Sequence, residues 1–219
     1  LRNSPRLVLL ISAIGASFFL QYTVAGLFGS RIYSYPRVHI LLEPVDLPLI
    51  GWLGMRWIDV VVIGSALAMM AFLYAFVMRT RLGTAIRAVS EDKQAAALMG
   101  IDVNRAIVWT FGVGAAMAGA AGVLYGLVWV QVQFFTGFIP GLKAFTAAVI
   151  GGIGNIPGAM VGGFVLGEAE SIGALLFLEG LGVPAPSQLK DVIAFTILVM
   201  VLMFRPQGIL GERLSGKRA

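Results

Sequence analysis

Few residues in this chain could do chemistry, and none is arranged for catalysis. One histidine, His39, leaves no multi-histidine metal site, and zero cysteines leave no thiolate site and no disulfide framework. No Gly-x-x-x-x-Gly-Lys-Ser/Thr phosphate loop is present, so the chain carries no cradle for ATP hydrolysis. Three polar features remain. They are a carboxylate inside an apolar run, a glycine-rich break, and a short segment with a charged start and an apolar end.

The carboxylate is Glu168, about midway along an apolar stretch from Ala159 to Leu178. An ionisable group at membrane depth costs several kcal/mol unless partnered. Glu168 is therefore expected to face a helix bundle or a water-filled path, with Lys143 as its partner, in either a hydrogen-bonding or a transport role. Glu170 lies about 200° away on the helical wheel and is placed on another face. The break is Gly151-Gly152-Ile153-Gly154-Asn155-Ile156-Pro157-Gly158. Irregular backbone at membrane depth needs protein or water to satisfy its polar groups, and in transporters such breaks line substrate sites. Two readings stand: Gly151, Gly152, Gly154 and Asn155 line a pathway with Phe145 and Thr146 before them, or the break is a tight turn at the membrane surface.

The third feature spans Ser90 to Gly100. Ser90 suits an N-cap, and Glu91 and Asp92 suit the positive first turn. Ala95, Leu98 and Met99 share one apolar face, Gly100 supplies the stop, and Asp102 can cap the helix that follows. A short amphipathic helix of about ten residues is predicted. It is either a solvated surface helix or an element that docks into a groove on a partner.

The elements that must position these features are membrane helices. Hydrophobic residues make up 58% of the 219 and charged ones only 12%, against about 25% charged in soluble domains; mean hydropathy is +0.90. This excludes a soluble enzyme, a disordered tail and a nucleic-acid-binding domain. The net charge of +5 sits beside apolar runs, where it orients helices rather than forming a binding face. Apolar spans are predicted at 7–28, 58–78, 106–130, 142–150, 159–178 and 192–204. Arg79, Arg81, Arg87, Lys93 and Arg105, and the tail with Arg205, Arg213, Lys217 and Arg218, place 79–105 and the C-terminus in the cytoplasm. The 30–57 connection and the 181–190 turn then lie outside, which makes 142–157 a short, broken crossing. Gly114, Ala118, Gly122 and Gly126, then Gly158 with Gly162, and Gly163 with Gly167 and Ser171, are spaced for close helix packing or for a sliding interface.

Three motifs together carry a family resemblance. The stretch from Arg87 through Ser90-Glu91-Asp92-Lys93-Gln94-Ala95-Ala96-Ala97-Leu98-Met99-Gly100 to Arg105 resembles the cytoplasmic loop of permeases in the branched-chain amino acid ABC transporter family. Gly141 through Gly158 and Phe204-Arg-Pro-Gln-Gly-Ile-Leu-Gly211 continue the match. The chain is similar to the smaller, LivH-like, of that family's two permease types, over 58–211 and less closely over 1–30. The resemblance implies an all-α, polytopic transmembrane helix bundle, one permease domain over 1–219, with 91–99 as a coupling helix. Gln94-Ala95-Ala96 followed by Gly100 matches the Glu-Ala-Ala-x-x-x-Gly core, with Gln94 in place of Glu and no later Leu-Pro. Family members are longer at the N-terminus, and the chain starts at Leu1 without a signal-peptide pattern, so helices are expected to precede it.

The function implied is the permease of an ABC importer for leucine, isoleucine, valine or related amino acids in the bacterial inner membrane. Its implied partners are ATP-binding subunits, a second permease, a periplasmic substrate-binding protein and membrane lipid, with no nucleic acid. No cofactor is expected on this chain, because ATP is used by the partner subunit. Related permeases of the same machinery carry urea or short-chain amides. An ion-coupled secondary transporter would need several intramembrane charges, and only Glu168 qualifies clearly.

Overall fold

The structure, a computed structural model, describes residues 6–36, 43–44, 54–175, 189–205 and 207–211. His39, most of the 30–57 connection, residues 181–188 of the outer turn and the tail charges Glu212, Arg213, Lys217 and Arg218 lie outside the described residues.

Helix α1 covers Arg6–Phe28, strand β1 Tyr33–Ser34, α2 Trp57–Arg79, α3 Arg81–Glu91, α4 Lys93–Leu98 and α5 Val103–Trp129. Strand β2 covers Gln131–Val132, α6 Phe138–Gly151, α7 Ile156–Gly173 and α8 Lys190–Phe204. The architecture is that of an all-α polytopic membrane protein. Among the described residues three helices, α1, α2 and α5, are long and apolar enough to cross a membrane. They are apolar all round, as helices surrounded by lipid or by other helices are. Helices α6 and α7 pass the same test only as a pair bent by 115°.

The chain divides into two compact units. One holds residues up to Val62 and Ala118–Ile139. In it β1 and β2 pair antiparallel, with Tyr33 opposite Val132 and Ser34 opposite Gln131. Phe18 stacks on Phe138 at 5.6 Å, and Tyr22 lies 5.8 Å from Phe134. Aromatic pairs at such distances add to the burial of their rings.

The second unit holds Ile63–Met117 and the chain from Pro140 onward. Its main core is Ala147 and Ile150 of α6, Leu166 of α7 and Ala194 of α8, flanked by Ile197 and Val201. The approach of α7 to α6 depends on small residues. A methyl group at Gly162 would stand 2.1 Å from the Ala147 carbonyl oxygen. Gly158 and Gly162 thus fulfil the expected close packing. Gly114, Gly122 and Gly167 have nothing within 4 Å, so on α5 only Gly126, against the Tyr35 ring, is used within the described residues.

Candidate functional site

The α6–α7 junction is an elbow built by backbone geometry. Gly152 has φ +111° and Gly154 φ +96°, values that residues with a Cβ rarely adopt. Asn155 caps α7, its Oδ1 accepting from the Gly158 N–H at 3.0 Å, and Pro157 occupies the first turn, where a missing N–H costs nothing.

The elbow does not stand alone. The residues after α8 lie across it: the Ile209 N–H donates to the Ile150 carbonyl at 2.7 Å and the Leu210 N–H to the Gly151 carbonyl at 3.0 Å. Asn155 Nδ2 donates in turn to the Leu210 carbonyl at 3.0 Å. The last carbonyls of α6, which a helix end leaves unpaired, are thereby satisfied. Gly208 and Gly152 permit the approach, since methyl groups on them would stand 2.4–2.6 Å from the facing backbone.

On the elbow's other side lies an open, almost wholly apolar cavity of about 420 Å³. Met69, Met70 and Leu73 of α2, Met117 of α5 and Met160 of α7 line it, with Gly152, Gly154 and Asn155 from the elbow. Gly151 is buried against Gly158. Thr146 is fully buried, its hydroxyl donating to the Leu142 carbonyl of its own helix at 3.0 Å. Phe145 is half exposed, and neither it nor Thr146 lines the cavity.

The expected Glu168–Lys143 pair is not formed. Lys143 Nζ lies 2.9 Å from Glu170 and 2.8 Å from Asp191, while Glu168 is exposed. The reason is helical phase. Gly158, Gly162 and Leu166 define the inward face of α7, and Glu170 continues that series at i+4, whereas Glu168 is two residues out of step. One ammonium thus faces two carboxylates, tying together α6, α7 and α8. Signals for this were present in the spacing of Gly162, Leu166 and Glu170.

The charged segment folds as two helices rather than one. Thr80 caps α3, accepting from the Gly83 N–H at 3.0 Å, and α3 continues through Ser90 and Glu91. The Ser90 hydroxyl donates to the Arg87 carbonyl, so Ser90 is not the cap of the short helix. That cap is Asp92, in extended conformation, accepting from the Gln94 and Ala95 N–H groups at 2.8 and 3.1 Å. Helix α4 is accordingly six residues long, shorter than expected. Both Ser90 and Asp92 suit a cap, and the choice is made by burial: Val89 of α3 and Ala96 of α4 pack with Ala106 of α5.

With Ala96 turned inward, Leu98 and Met99 are 88% and 83% exposed, and Glu91, Gln94 and Ala95 are exposed beside them. Gly100 ends the turn at φ +82°. Asp102 then caps α5 through the Asn104 and Arg105 N–H groups, as expected. A rigid corner therefore presents an apolar tip to its surroundings.

A family model described as the permease component of the branched-chain amino acid transport system matches residues 2–202. The high-affinity branched-chain amino acid transport permease LivH of Escherichia coli (strain K12) is 43% identical over 96% of this chain, and LivH of Salmonella typhimurium is 42% identical over 96%. BraD, the corresponding protein of Pseudomonas aeruginosa, is 42% identical over 97%. The chain spans 66% of the length of each of these relatives. No solved structure matches the chain.

Proposed function

Because the chain belongs to the branched-chain amino acid transport permease family, we propose that it is the membrane subunit of an ABC importer moving leucine, isoleucine or valine inward, driven by ATP hydrolysis on a separate subunit. The observation that carries this reading is the α4 corner. Leu98 and Met99 project from a helix whose opposite side, Ala96, is fixed against Val89 and Ala106. An exposed apolar tip on an anchored helix is what helix-in-groove docking uses, and a rigid base lets motion of the partner reach α3 and α5. The partner is an ATP-binding subunit. A second permease and a periplasmic substrate-binding protein complete the machine.

In this reading the corner and the C-terminus lie in the cytoplasm of a bacterial inner membrane, and the excess of arginines in α3 and of cations in the sequence after α8 supports that orientation. The elbow, joined to the segment after α8, belongs on the same side. Helices α6 and α7 are then two legs meeting at the cytoplasmic face, and the methionine-lined cavity is an inner vestibule whose apolar walls suit aliphatic side chains. Gly152, Gly154 and Asn155 are its pathway residues. The test is co-purification of the full-length permease with its ATPase subunit. Leu98→Glu with Met99→Glu is expected to release the ATPase while the permease stays folded. Retention of the ATPase by that variant, or no ATPase partner at all, would sink the reading.

A further inference from the structure

Residues 207–211 of the motif that ends at Gly211 do not line the cavity, yet the backbone of Ile209 and Leu210 is bonded directly to the elbow. We propose that residues 207–211 are a permanent strap that positions the elbow, so that α6, α7 and α8 move as one body during transport. The proposal rests on the reading of the chain as a permease that changes conformation.

Three observations distinguish a strap from a latch that opens. The strap is held through its backbone: Ile209 and Leu210 are about half exposed, while their N–H groups reach the Ile150 and Gly151 carbonyls. Those two residues are buried, Ile150 at 1% exposure. Lifting the strap would break both bonds and uncover the apolar Ile150. Gly152 and Gly208 interlock, each with facing backbone where its methyl group would stand, and Gly211 has no room for one against Gln207 within the strap itself. Such a fit is lost by small displacements, as close-packed contacts are. Finally, the Lys143–Glu170–Asp191 cluster joins the same three helices at their other ends. With the Ile150–Leu166–Ala194 core between, the three helices are fastened at both ends and in the middle.

Asn155 is the positioning residue of this arrangement. Its Oδ1 caps α7 and its Nδ2 holds the strap, so one side chain fixes both the start of α7 and the end of the segment after α8. Replacing it by Asp keeps the acceptor for the Gly158 N–H, at a helix end that favours negative charge, and turns the donor to Leu210 into a carboxylate oxygen that cannot donate.

The experiment is hydrogen exchange on the full-length permease in its complex, nucleotide-free and again trapped with ATP and vanadate. The amides of Ile209 and Leu210 are expected to exchange slowly in both states, with rates within about twofold. Exchange about tenfold faster in either state would overturn the strap. Asn155→Asp is expected to speed these amides about tenfold and to lower substrate moved per ATP hydrolysed, with the ATPase still bound. Unchanged exchange or unchanged stoichiometry in that variant would equally overturn it. Loss of the ATPase from the native complex would instead count against the docking reading. The strap would still be read by exchange on the isolated full-length permease.

Discussion

Asn155 Nδ2 and the Leu210 carbonyl oxygen, 55 residues apart in sequence, meet at 3.0 Å. Through this bond the glycine elbow and the segment after α8 become one structural unit. Helix α7 starts where it does because the same side chain caps it.

Asn155→Ala should therefore destabilise more than Asn155→Asp. The alanine loses the cap, worth about 1 kcal/mol, and the bond to Leu210, worth about another 1 kcal/mol. Thermal unfolding of the purified full-length permease in detergent checks the order wild type, Asp, Ala. Equal midpoints for the two variants would contradict it.

Gly162→Ala and Gly167→Ala offer a matched pair on one helix. The first places a methyl group 2.1 Å from the Ala147 carbonyl oxygen, and the second meets nothing within 4 Å. Overpacking of this kind costs about 1–3 kcal/mol, so Gly162→Ala should lower the unfolding midpoint while Gly167→Ala leaves it unchanged or slightly raised. A similar drop for both would mean that α7 packs on a different face.

Lys143 is the cation that two carboxylates share. Lys143→Met leaves Glu170, only 14% exposed at its side chain, without its counter-charge, and losing a partly exposed pair of this kind costs about 1–3 kcal/mol. Glu168→Gln, on the exposed face, should leave folding unchanged. Expression level and unfolding midpoint in membranes distinguish the two. A severe defect for Glu168→Gln, matching that of Lys143→Met, would restore the pairing expected from sequence.

Filling the cavity tests the vestibule. Met69→Trp, on the lining opposite the elbow, should reduce uptake several-fold while ATPase binding at Leu98 and Met99 persists. Uptake at the wild-type rate would remove the cavity from the pathway.

What was legible in the sequence was what is local. Spans 58–78 and 106–130 match α2 and α5 closely, because apolar runs of that length declare themselves. Gly100 reads as a stop and Asp102 as the cap of α5, and both hold. What was not legible depends on distant burial. Ser90 and Asp92 are equally good caps until Val89 and Ala96 are known to share a core. Glu168 looked buried because it is central in its run, but Gly162 and Leu166 set the inward face and carry Glu170 with them. The strap is bonded through backbone groups, which leave no periodicity; only the glycines at 208 and 211 hint at it.

The central claim, that this membrane chain is driven by ATP through the α4 corner, is tested most directly by leucine uptake into proteoliposomes. These would hold the full-length permease with its ATPase and second permease, and substrate-binding protein would be supplied outside. The account predicts uptake that requires ATP hydrolysis and vanishes in the Leu98→Glu, Met99→Glu variant. Uptake without ATP, driven by an ion gradient and unaffected by that variant, would contradict it.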